Sequence, residues 1–334
     1  MPRISRPSTA RCVAGGSLLP GLAVSLALMA AMVCAAAAPG ADWIKPLGEP
    51  KAIDAAAEAI TAMAVSADGK QLIVDTEPAL FFLDTGSGKP ARASMPAHRD
   101  TSGLAAPTAI VGRLFVTTWA NVPSADKSGR TAPRQVGELL ALDVTTKKSQ
   151  RLLELKKEPH VIAASADGKR VALGYSDGTV HVVDGASGKS LLGPVKLIAG
   201  IVIAKELVDG TTTVSALAFS PDGARLVVAG EDVTLRVIEV STGKTLTQFV
   251  YGGVSGSGTH TPAQHVAFTP DGSRLVTAAQ DRNLSLHDAA TSQLLGDAVR
   301  VPGGVSALAI GADGKTVYTG DNDGRLQRWE LRGR

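Results

Sequence analysis

Three observations on this sequence predict an all-β fold, a β-propeller built from four-stranded antiparallel blades. First, one turn motif recurs along the chain, with its aspartate at Asp68, Asp167, Asp222, Asp271 and Asp313. Second, each copy lies between two short apolar runs of the kind that forms β-strands. Third, a further Gly-Lys turn follows the third strand of several units, as at residues 185–189. Repeated supersecondary units of this kind are typical of propellers and other repeat architectures.

The clearest unit covers residues 214–250. Residues 214–220 alternate in polarity and predict a strand. The Pro and Gly of residues 221–223 then favour a tight turn. Residues 225–230, 235–240 and 245–250 predict three more strands. Four antiparallel strands in each repeated unit are the organisation of a propeller blade.

The spacing of the turn aspartates predicts six blades. Asp68 and Asp167 are separated by about twice the usual distance, so a degenerate unit is expected between them. Its candidate strands are residues 108–111, 113–118 and 138–143. A seven-bladed ring is the alternative, if residues 199–213 form more than a small hairpin that turns at Asp209-Gly210.

The N-terminal end of the folded region is expected to complete the last blade. The last unit ends at its third strand, with Gly333 and Arg334 left over. Residues 46–53 resemble the fourth strands predicted at residues 191–197 and 294–300. Pairing of this segment with the last strand would close the ring and remove the open edges of a linear array.

The third strands carry a family resemblance. They end in an acidic residue at Asp84, Asp184, Asp288 and Glu330, and the last one ends in Trp329-Glu330. In this respect the chain resembles the WD40-repeat family over almost all of residues 39–334. It departs from that family in lacking the Gly-His dipeptide and most of the strand-ending tryptophans. Aspartates after the second strands, at Asp177, Asp232, Asp281 and Asp323, are interpreted as turn formers rather than catalytic groups.

Residues 1–38 predict a signal peptide, followed by the propeller domain at residues 39–334. Arg3, Arg6 and Arg11 form a basic start, residues 18–33 are strongly apolar, and small residues lead to Ala38. This order is typical of a cleaved secretory leader, and it predicts a periplasmic or secreted protein. The alternative is an uncleaved inner-membrane anchor, because the uncharged stretch is long enough to span a bilayer.

Composition excludes several classes of function. The cysteines, Cys12 and Cys34, both lie in the leader, so the mature chain is expected to have no disulfide and no thiol nucleophile. The full chain has 34 Lys and Arg against 31 Asp and Glu, and removal of the three leader arginines makes these counts equal. This balance does not favour a nucleic-acid partner. A membrane is expected as a partner only through an uncleaved leader.

The longer loops are predicted on one face of the propeller. Because strands alternate in direction, the second-to-third turns and the blade-to-blade connections share a face, which we call the insertion face. The insertions at residues 96–106, 121–135, 199–213 and 252–264 all belong to it. The opposite, short-turn face carries the Asp-Gly and Gly-Lys turns. Long loops on a rigid scaffold are where binding residues concentrate, so a protein partner is expected at the insertion face.

Exposed aromatic and basic residues are typical interface anchors, and they define the predicted partner-binding site. That site comprises His98, Arg99, Trp119, Lys127, Arg130, Arg134, Tyr251 and His260. Two further histidines lie on third strands. His287 is expected to pack inside a blade, whereas His181, Arg236 and Gln327 occupy a position expected to be exposed.

The sequence shows no catalytic, cofactor-binding or metal-binding motif. His260 and His265 lack the spacing of a zinc site, and Ser255 and Ser257 do not form a Gly-x-Ser-x-Gly elbow. The favoured hypothesis is therefore an exported protein-interaction scaffold or accessory subunit with no cofactor. The alternative is a propeller enzyme or redox-enzyme subunit with a small-molecule site at the mouth of the central channel. Converging His or acidic side chains at that mouth would favour the enzyme.

Overall fold

A computed structural model describes the folded part of the chain. It covers residues 43–49, 51–53, 59–66, 68–76, 79–96, 108–111, 113–125, 131–143, 149–198, 201–203, 206–208, 213–250 and 261–333. These residues belong to a unit comprising Gly40–Arg334, and Met1–Pro39 form a separate unit. The predicted leader lies outside the described residues. Within them, no helix has the length and hydropathy needed to cross a membrane.

The described residues form six sheets of four or five strands and one two-stranded hairpin. The first strands in the chain are β1 (Ile44–Pro46) and β2 (Lys51–Ala52). Sheet 1 contains β3 (Ile60–Val65), β4 (Gln71–Thr76), β5 (Ala79–Asp84) and β6 (Pro90–Pro96). Sheet 2 contains β7 (Thr108–Val111), β8 (Arg113–Ala125), β9 (Thr131–Asp143) and β10 (Ser149–Leu155). Sheet 3 contains β11 (Val161–Ala164), β12 (Arg170–Gly174), β13 (Thr179–Asp184) and β14 (Ser190–Lys196).

The second half of the chain repeats this order. The hairpin pairs β15 (Ile201–Ile203) with β16 (Glu206–Val208). Sheet 4 contains β17 (Val214–Phe219), β18 (Arg225–Gly230), β19 (Thr234–Glu239) and β20 (Thr245–Val250). Sheet 5 contains β21 (Ala263–Phe268), β22 (Arg274–Ala279), β23 (Asn283–Asp288) and β24 (Val299–Arg300). Sheet 6 contains β25 (Ala307–Ile310), β26 (Thr316–Gly320) and β27 (Arg325–Leu331), with β1 and β2 paired to β27.

The first strands of these sheets contact one another in a closed circuit. Strand β3 contacts β7, β7 contacts β11, and β11 contacts β17. The circuit continues from β17 to β21, from β21 to β25, and from β25 back to β3. Antiparallel sheets arranged with their first strands around a common centre form a β-propeller, so the predicted all-β propeller is confirmed.

Apolar side chains fill the spaces between neighbouring sheets. Between sheets 3 and 4, for example, Val182 of β13 belongs to the same buried cluster as Leu226 of β18 and Ile238 of β19. Comparable clusters join sheets 4 and 5, and sheets 5 and 6. Each sheet is therefore stabilised mainly by its two neighbours, as in other repeat architectures.

The N-terminal segment pairs with the last strand, as predicted. Strand β1 runs antiparallel to β27, with Ile44 opposite Leu331 and Pro46 opposite Trp329. Strand β2 continues along the same edge, with Lys51 opposite Leu326. The pairing begins at Ile44 rather than at Pro46. Between the two strands the chain passes through Gly48, whose φ of 99° lies in the left-handed region that glycine tolerates.

The recurring Asp-Gly turn is held by its own side chains. In the copy between β11 and β12, Ser165 Oγ donates a 2.6 Å hydrogen bond to Asp167 Oδ1, which also accepts from the Lys169 amide at 3.0 Å. The bond from Ser165 lowers the pKa of the Asp167 carboxyl below its usual value. Gly168 follows at a φ of 66°, which explains why glycine closes this turn.

Two predicted loops contain paired strand. Residues 121–135 were expected to form a loop, but the β8–β9 ladder continues from Ala120 opposite Val136 to Ala125 opposite Thr131. The hairpin expected within residues 199–213 is present as β15 and β16. Its turn falls between Ile203 and Glu206 rather than at the predicted Asp209-Gly210, because the three-residue ladder pairs Ile203 with Glu206.

The third-strand position expected to be exposed is largely covered. Arg236 is 8% exposed and Gln327 is 7% exposed, while His181 is half-buried. Burial of Arg236 is possible because its guanidinium donates to both carboxylate oxygens of Asp232, at 3.3 and 2.6 Å. A buried charge needs a partner of this kind. The prediction that His287 packs inside its blade is confirmed, with the side chain 6% exposed.

Candidate functional site

The predicted partner-binding residues lie mostly outside the described part of the chain. Trp119 is on β8, where its backbone is opposite Gly137, and Arg134 is on β9, opposite Val122. The other six residues fall outside the described residues: His98, Arg99, Lys127, Arg130, Tyr251 and His260. The predicted site therefore stays a prediction, with two of its members placed on one hairpin.

A polar cavity of about 370 Å³ lies where the first strands of sheets 3 to 6 begin. We call it the channel-mouth cavity. Its lining comes from turns after second strands and from segments that enter first strands, so it opens on the insertion face. The lining residues are His160, Ser215, Glu231, Pro262, Gln264, His265, Gln280, Val305, Ser306 and Asn322.

Three lining residues occupy the same place in successive sheets. Glu231, Gln280 and Asn322 each directly precede an aspartate in the turn after the second strand. The turn therefore presents one variable polar side chain per sheet to the cavity. None of these three side chains has a hydrogen-bond or ion-pair partner among the residues that the structure describes.

A bulge positions two more lining residues. The ladder between β17 and β18 shifts register between Val214 and Ala216, so Ser215 is the extra residue. The ladder between β21 and β22 shifts in the same place, and there Gln264 is the extra residue. A β-bulge redirects the side chain of its extra residue, and bulges are frequent beside active sites. Here both redirected side chains reach the cavity.

Two serine hydroxyls join neighbouring first strands at this level. Ser215 Oγ donates to the Ala263 carbonyl in sheet 5 at 2.7 Å. Ser306 Oγ donates to the Ile60 carbonyl in sheet 1 at 2.6 Å. Because each hydroxyl uses its proton in these bonds, its oxygen can only accept a hydrogen bond from a ligand.

His265 is held in its neutral form. Removal from solvent lowers the pKa of its imidazole to about 4, and a hydrogen bond with the Val305 backbone opposes this shift in part. The side chain remains half-buried and lines the cavity. A neutral imidazole can both donate and accept hydrogen bonds, so His265 can orient a ligand without repelling a cation.

The charge of the cavity is one-sided. The described lining contains one carboxylate, Glu231, and neither Lys nor Arg. Among the described residues, no three His, Cys, Asp or Glu side chains are grouped closely enough to hold a metal ion. The arrangement can therefore bind and orient a small polar molecule, with the positive end of that molecule at the Glu231 carboxylate.

The neighbouring turn aspartates serve the backbone. Asp177, Asp232 and Asp281 each accept from the amide two residues later, at 3.1, 3.2 and 3.1 Å. Their interpretation as turn formers is confirmed. In sheet 6 this role belongs to Asp321 rather than Asp323, because Asp321 Oδ1 accepts from the Asp323 and Arg325 amides.

The cavity residues carry no sequence motif that marks them as a site. Glu231, Gln280 and Asn322 resemble ordinary polar turn residues, and His265 was considered only as a zinc ligand with His260. The one usable signal was their shared position before the turn aspartate. The bulges that bring Ser215 and Gln264 into the same cavity depend on strand register, which the sequence pattern does not reveal.

Comparison with known proteins supports the assignment of the fold. Residues 202–255 match the WD40 domain of anaphase-promoting complex subunit 4, and residues 255–288 match the WD domain, G-beta repeat. A search of curated proteins finds no significant match. The repeated four-stranded sheets define the class of the protein as a β-propeller. Together with these matches, they support a WD40-like β-propeller family for this chain.

Proposed function

We propose that this protein is an exported, six-bladed propeller that binds a protein partner through its insertion face, as a scaffold or accessory subunit. The observation that carries the proposal is the length of one hairpin. Strands β8 and β9 have 13 residues each. The second and third strands of the other sheets have between 5 and 7.

Within the part of the chain that the structure describes, the end of this hairpin has no neighbouring strand in its sheet. Strand β7 pairs with β8 no further than Val116, and β10 pairs with β9 no further than Gly137. Residues 120–125 and 131–136, which we call the hairpin arm, therefore pair only with each other within the described chain. Among the described residues, nothing pairs with the outer edges of the arm, and unpaired strand edges recruit extended segments of other proteins.

The six-bladed count is supported by the contacts between first strands. Six sheets contribute one first strand each to the circuit around the centre. The β15–β16 hairpin contributes two strands of 3 residues, too few for a four-stranded blade. We therefore favour six blades over seven.

Export and a subunit role are supported by the sequence and by the family. The apolar leader predicts secretion, and a mature chain without cysteine is compatible with either redox compartment. WD40 propellers generally mediate protein–protein interaction, and one matched family is named as a subunit of a complex. Mass spectrometry of the exported protein tests this part directly. A mature N-terminus close to residue 39 is expected, whereas an intact leader would instead support the anchored form.

A crosslinking pull-down from the native cells tests the partner. The wild type is compared with a variant in which residues 121–135 are replaced by Asn-Gly, a two-residue turn suited to a short hairpin. A specific protein captured by the wild type and lost from the variant is expected. Leu246→Ser, at a 50% exposed position on β20, is the control and should retain the partner. Equal capture by all three proteins would refute binding through the hairpin arm.

A second function is favoured by the channel-mouth cavity. Convergence of His160, Glu231 and His265 on one polar cavity is the feature expected of a small-molecule site. It supports the alternative of a propeller enzyme or redox-enzyme subunit. Ligand binding by the isolated, exported protein distinguishes this alternative from a pure scaffold.

A further inference from the structure

We propose that the channel-mouth cavity binds a small organic cation, with an ammonium or guanidinium group at Glu231 and hydrogen bonds to the amides of Gln264, Gln280 and Asn322. The inference goes beyond partner binding by the hairpin arm. It rests on the charge and the hydrogen-bonding groups of the described lining, on the size of the cavity, and on the absence of Phe, Tyr and Trp from that lining.

Glu231 is the only carboxylate in the described lining of the cavity. The Glu231 side chain is half-buried at the cavity and has no ion-pair or hydrogen-bond partner among the described residues. The guanidinium nearest along the described chain, on Arg236, is already committed to Asp232. A half-buried carboxylate without a partner is unfavourable, and a ligand cation would supply the missing charge-assisted hydrogen bond.

Neutral polar groups surround Glu231 in the cavity. Side-chain amides of Gln264, Gln280 and Asn322 offer carbonyl oxygens that accept N–H groups. His265 does not oppose a cation, because its imidazole is neutral at physiological pH. Ser215 and Ser306 can only accept from a ligand, since their protons are used within the protein. A cavity rich in acceptors suits a ligand with several N–H donors.

The volume of the cavity indicates the size of ligand that it can hold. At about 370 Å³ it has room for about 12 water molecules of roughly 30 Å³ each. A molecule with the dimensions of an amino acid or a short diamine fits this volume. The described lining contains no Phe, Tyr or Trp, and cages of these side chains are what bind quaternary ammonium groups. The preferred ligand therefore carries N–H groups rather than a methylated ammonium.

This chemistry has two sources, a free small cation or the basic side chain of a partner. Isothermal titration of the mature protein with L-arginine and L-citrulline tests the shared chemistry, because the two differ mainly in replacement of the guanidinium by a neutral urea. We expect arginine to bind at least about tenfold more tightly than citrulline. A blocked Arg-containing peptide and the matching citrulline peptide form the second arm. Binding of the peptide alone would assign the cation to a partner.

Variants locate the site. Glu231→Gln keeps the shape of the side chain and should weaken cation binding at least about tenfold. Glu239→Gln, the same change at the other end of sheet 4, should leave it unchanged. If Glu231→Gln does not fold, Gln280→Ala in the exposed turn after β22 replaces it and should also weaken binding.

The proposal is overturned by equal binding of arginine and citrulline, by no binding of any of these probes, or by binding that survives both cavity variants. Each of these outcomes leaves the hairpin-arm proposal intact, since the pull-down uses a different surface. Conversely, if no partner is captured through the arm, arginine binding by the isolated protein is not affected. The two proposals can therefore fail separately.

Discussion

The indole nitrogen of Trp329 donates a 2.9 Å hydrogen bond to Thr319 Oγ1 in the interior of sheet 6. In sheet 5 the same two positions are His287 and Thr277, with His287 Nε2 3.3 Å from Thr277 Oγ1. In sheet 4 they are Ile238 and Val228, both fully buried and apolar. At these two positions, the third and second strands carry either two polar residues that hydrogen-bond to each other or two apolar residues. Both combinations avoid a buried polar group without a partner.

Thr319→Val tests the hydrogen bond between Trp329 and Thr319. The substitution keeps the shape of the threonine and leaves a buried indole N–H unpaired, so we expect the free energy of unfolding to fall by about 1–3 kcal/mol. Thr319→Ser retains the hydroxyl and is the control, with a smaller loss. Urea unfolding at neutral pH measures both. Equal losses for the two variants would show that the methyl group, and not the hydrogen bond, contributes the stability.

Burial of His287 beside Thr277 predicts that the protein loses stability in acid. Burial lowers the pKa of His287 from 6.5 to about 4. As the pH falls from 6.5 toward 4, the unfolded chain binds a proton that the folded chain does not, so the unfolding free energy decreases. Replacement of the couple by the sheet 4 pair, with His287→Ile and Thr277→Val together, removes this contribution.

Denaturant unfolding at pH 7 and pH 5 measures the difference. Between these values the wild type should lose about 2 kcal/mol more than the double variant. His265, whose pKa is also lowered to about 4, is present in both proteins and cancels in the comparison. An identical pH dependence in the two proteins would mean that His287 is protonated in the folded state as readily as in the unfolded chain.

Gly188 is predicted to tolerate no side chain. It has a φ of 70°, and a Cβ atom there would lie 2.0 Å from the carbonyl oxygen of Leu152 in the neighbouring sheet 2. Gly188→Ala should therefore destabilise the protein by about 2 kcal/mol or more, through backbone strain and displacement of sheet 3 from sheet 2.

Gly193 supplies the matched control on the next strand. Nothing lies within 4 Å of a Cβ atom built there, and its φ is not positive. Gly193→Ala should change the unfolding free energy by no more than about 0.5 kcal/mol. Thermal unfolding of the two variants gives the ranking. A Gly188→Ala protein as stable as Gly193→Ala would show that the two sheets separate at little cost.

Local turn chemistry explains why so much of the fold was predictable. Asp167 and Gly168 fix their turn through contacts within five residues, so the motif is visible in the sequence and recurs with the blades. The hairpin arm was missed for a different reason. Residues 121–135 were expected to form a loop because they lengthen a turn, yet Pro123 and Pro133 lie opposite each other in the ladder. Proline is acceptable there because neither strand needs to donate to a further neighbour.

The channel-mouth cavity could not be predicted because it depends on contacts between distant parts of the chain. Ser306 reaches the Ile60 carbonyl from the far end of the sequence, and Gln264 reaches the cavity only through a bulge. Neither relationship leaves a local pattern. The burial of Arg236 could not be predicted from the sequence either, because it depends on the ion pair with Asp232 and not on the polarity of the arginine itself.

The N-terminal strand should stabilise the whole ring rather than sheet 6 alone. Ile44 is 3% exposed within the cluster shared by sheets 5 and 6, and the Arg332 amide donates to the Trp43 carbonyl at 2.8 Å. Sheet 6 also contacts sheet 1 through β25 and β3, so loss of β1 loosens the closing contact of the circuit.

Deletion of residues 43–53 should therefore lower hydrogen-exchange protection in all six sheets and reduce the unfolding temperature of the whole domain. Lys45→Ala, at an exposed position of β1, is the control and should behave like the wild type. Each sheet packs mainly on its two neighbours, so an opened ring leaves two sheets with only one neighbour each. These two sheets become less stable, and the sheets packed against them lose stability in turn. If hydrogen exchange increases only in sheet 6 and the unfolding temperature is unchanged, the other five sheets remain stable without strands β1 and β2.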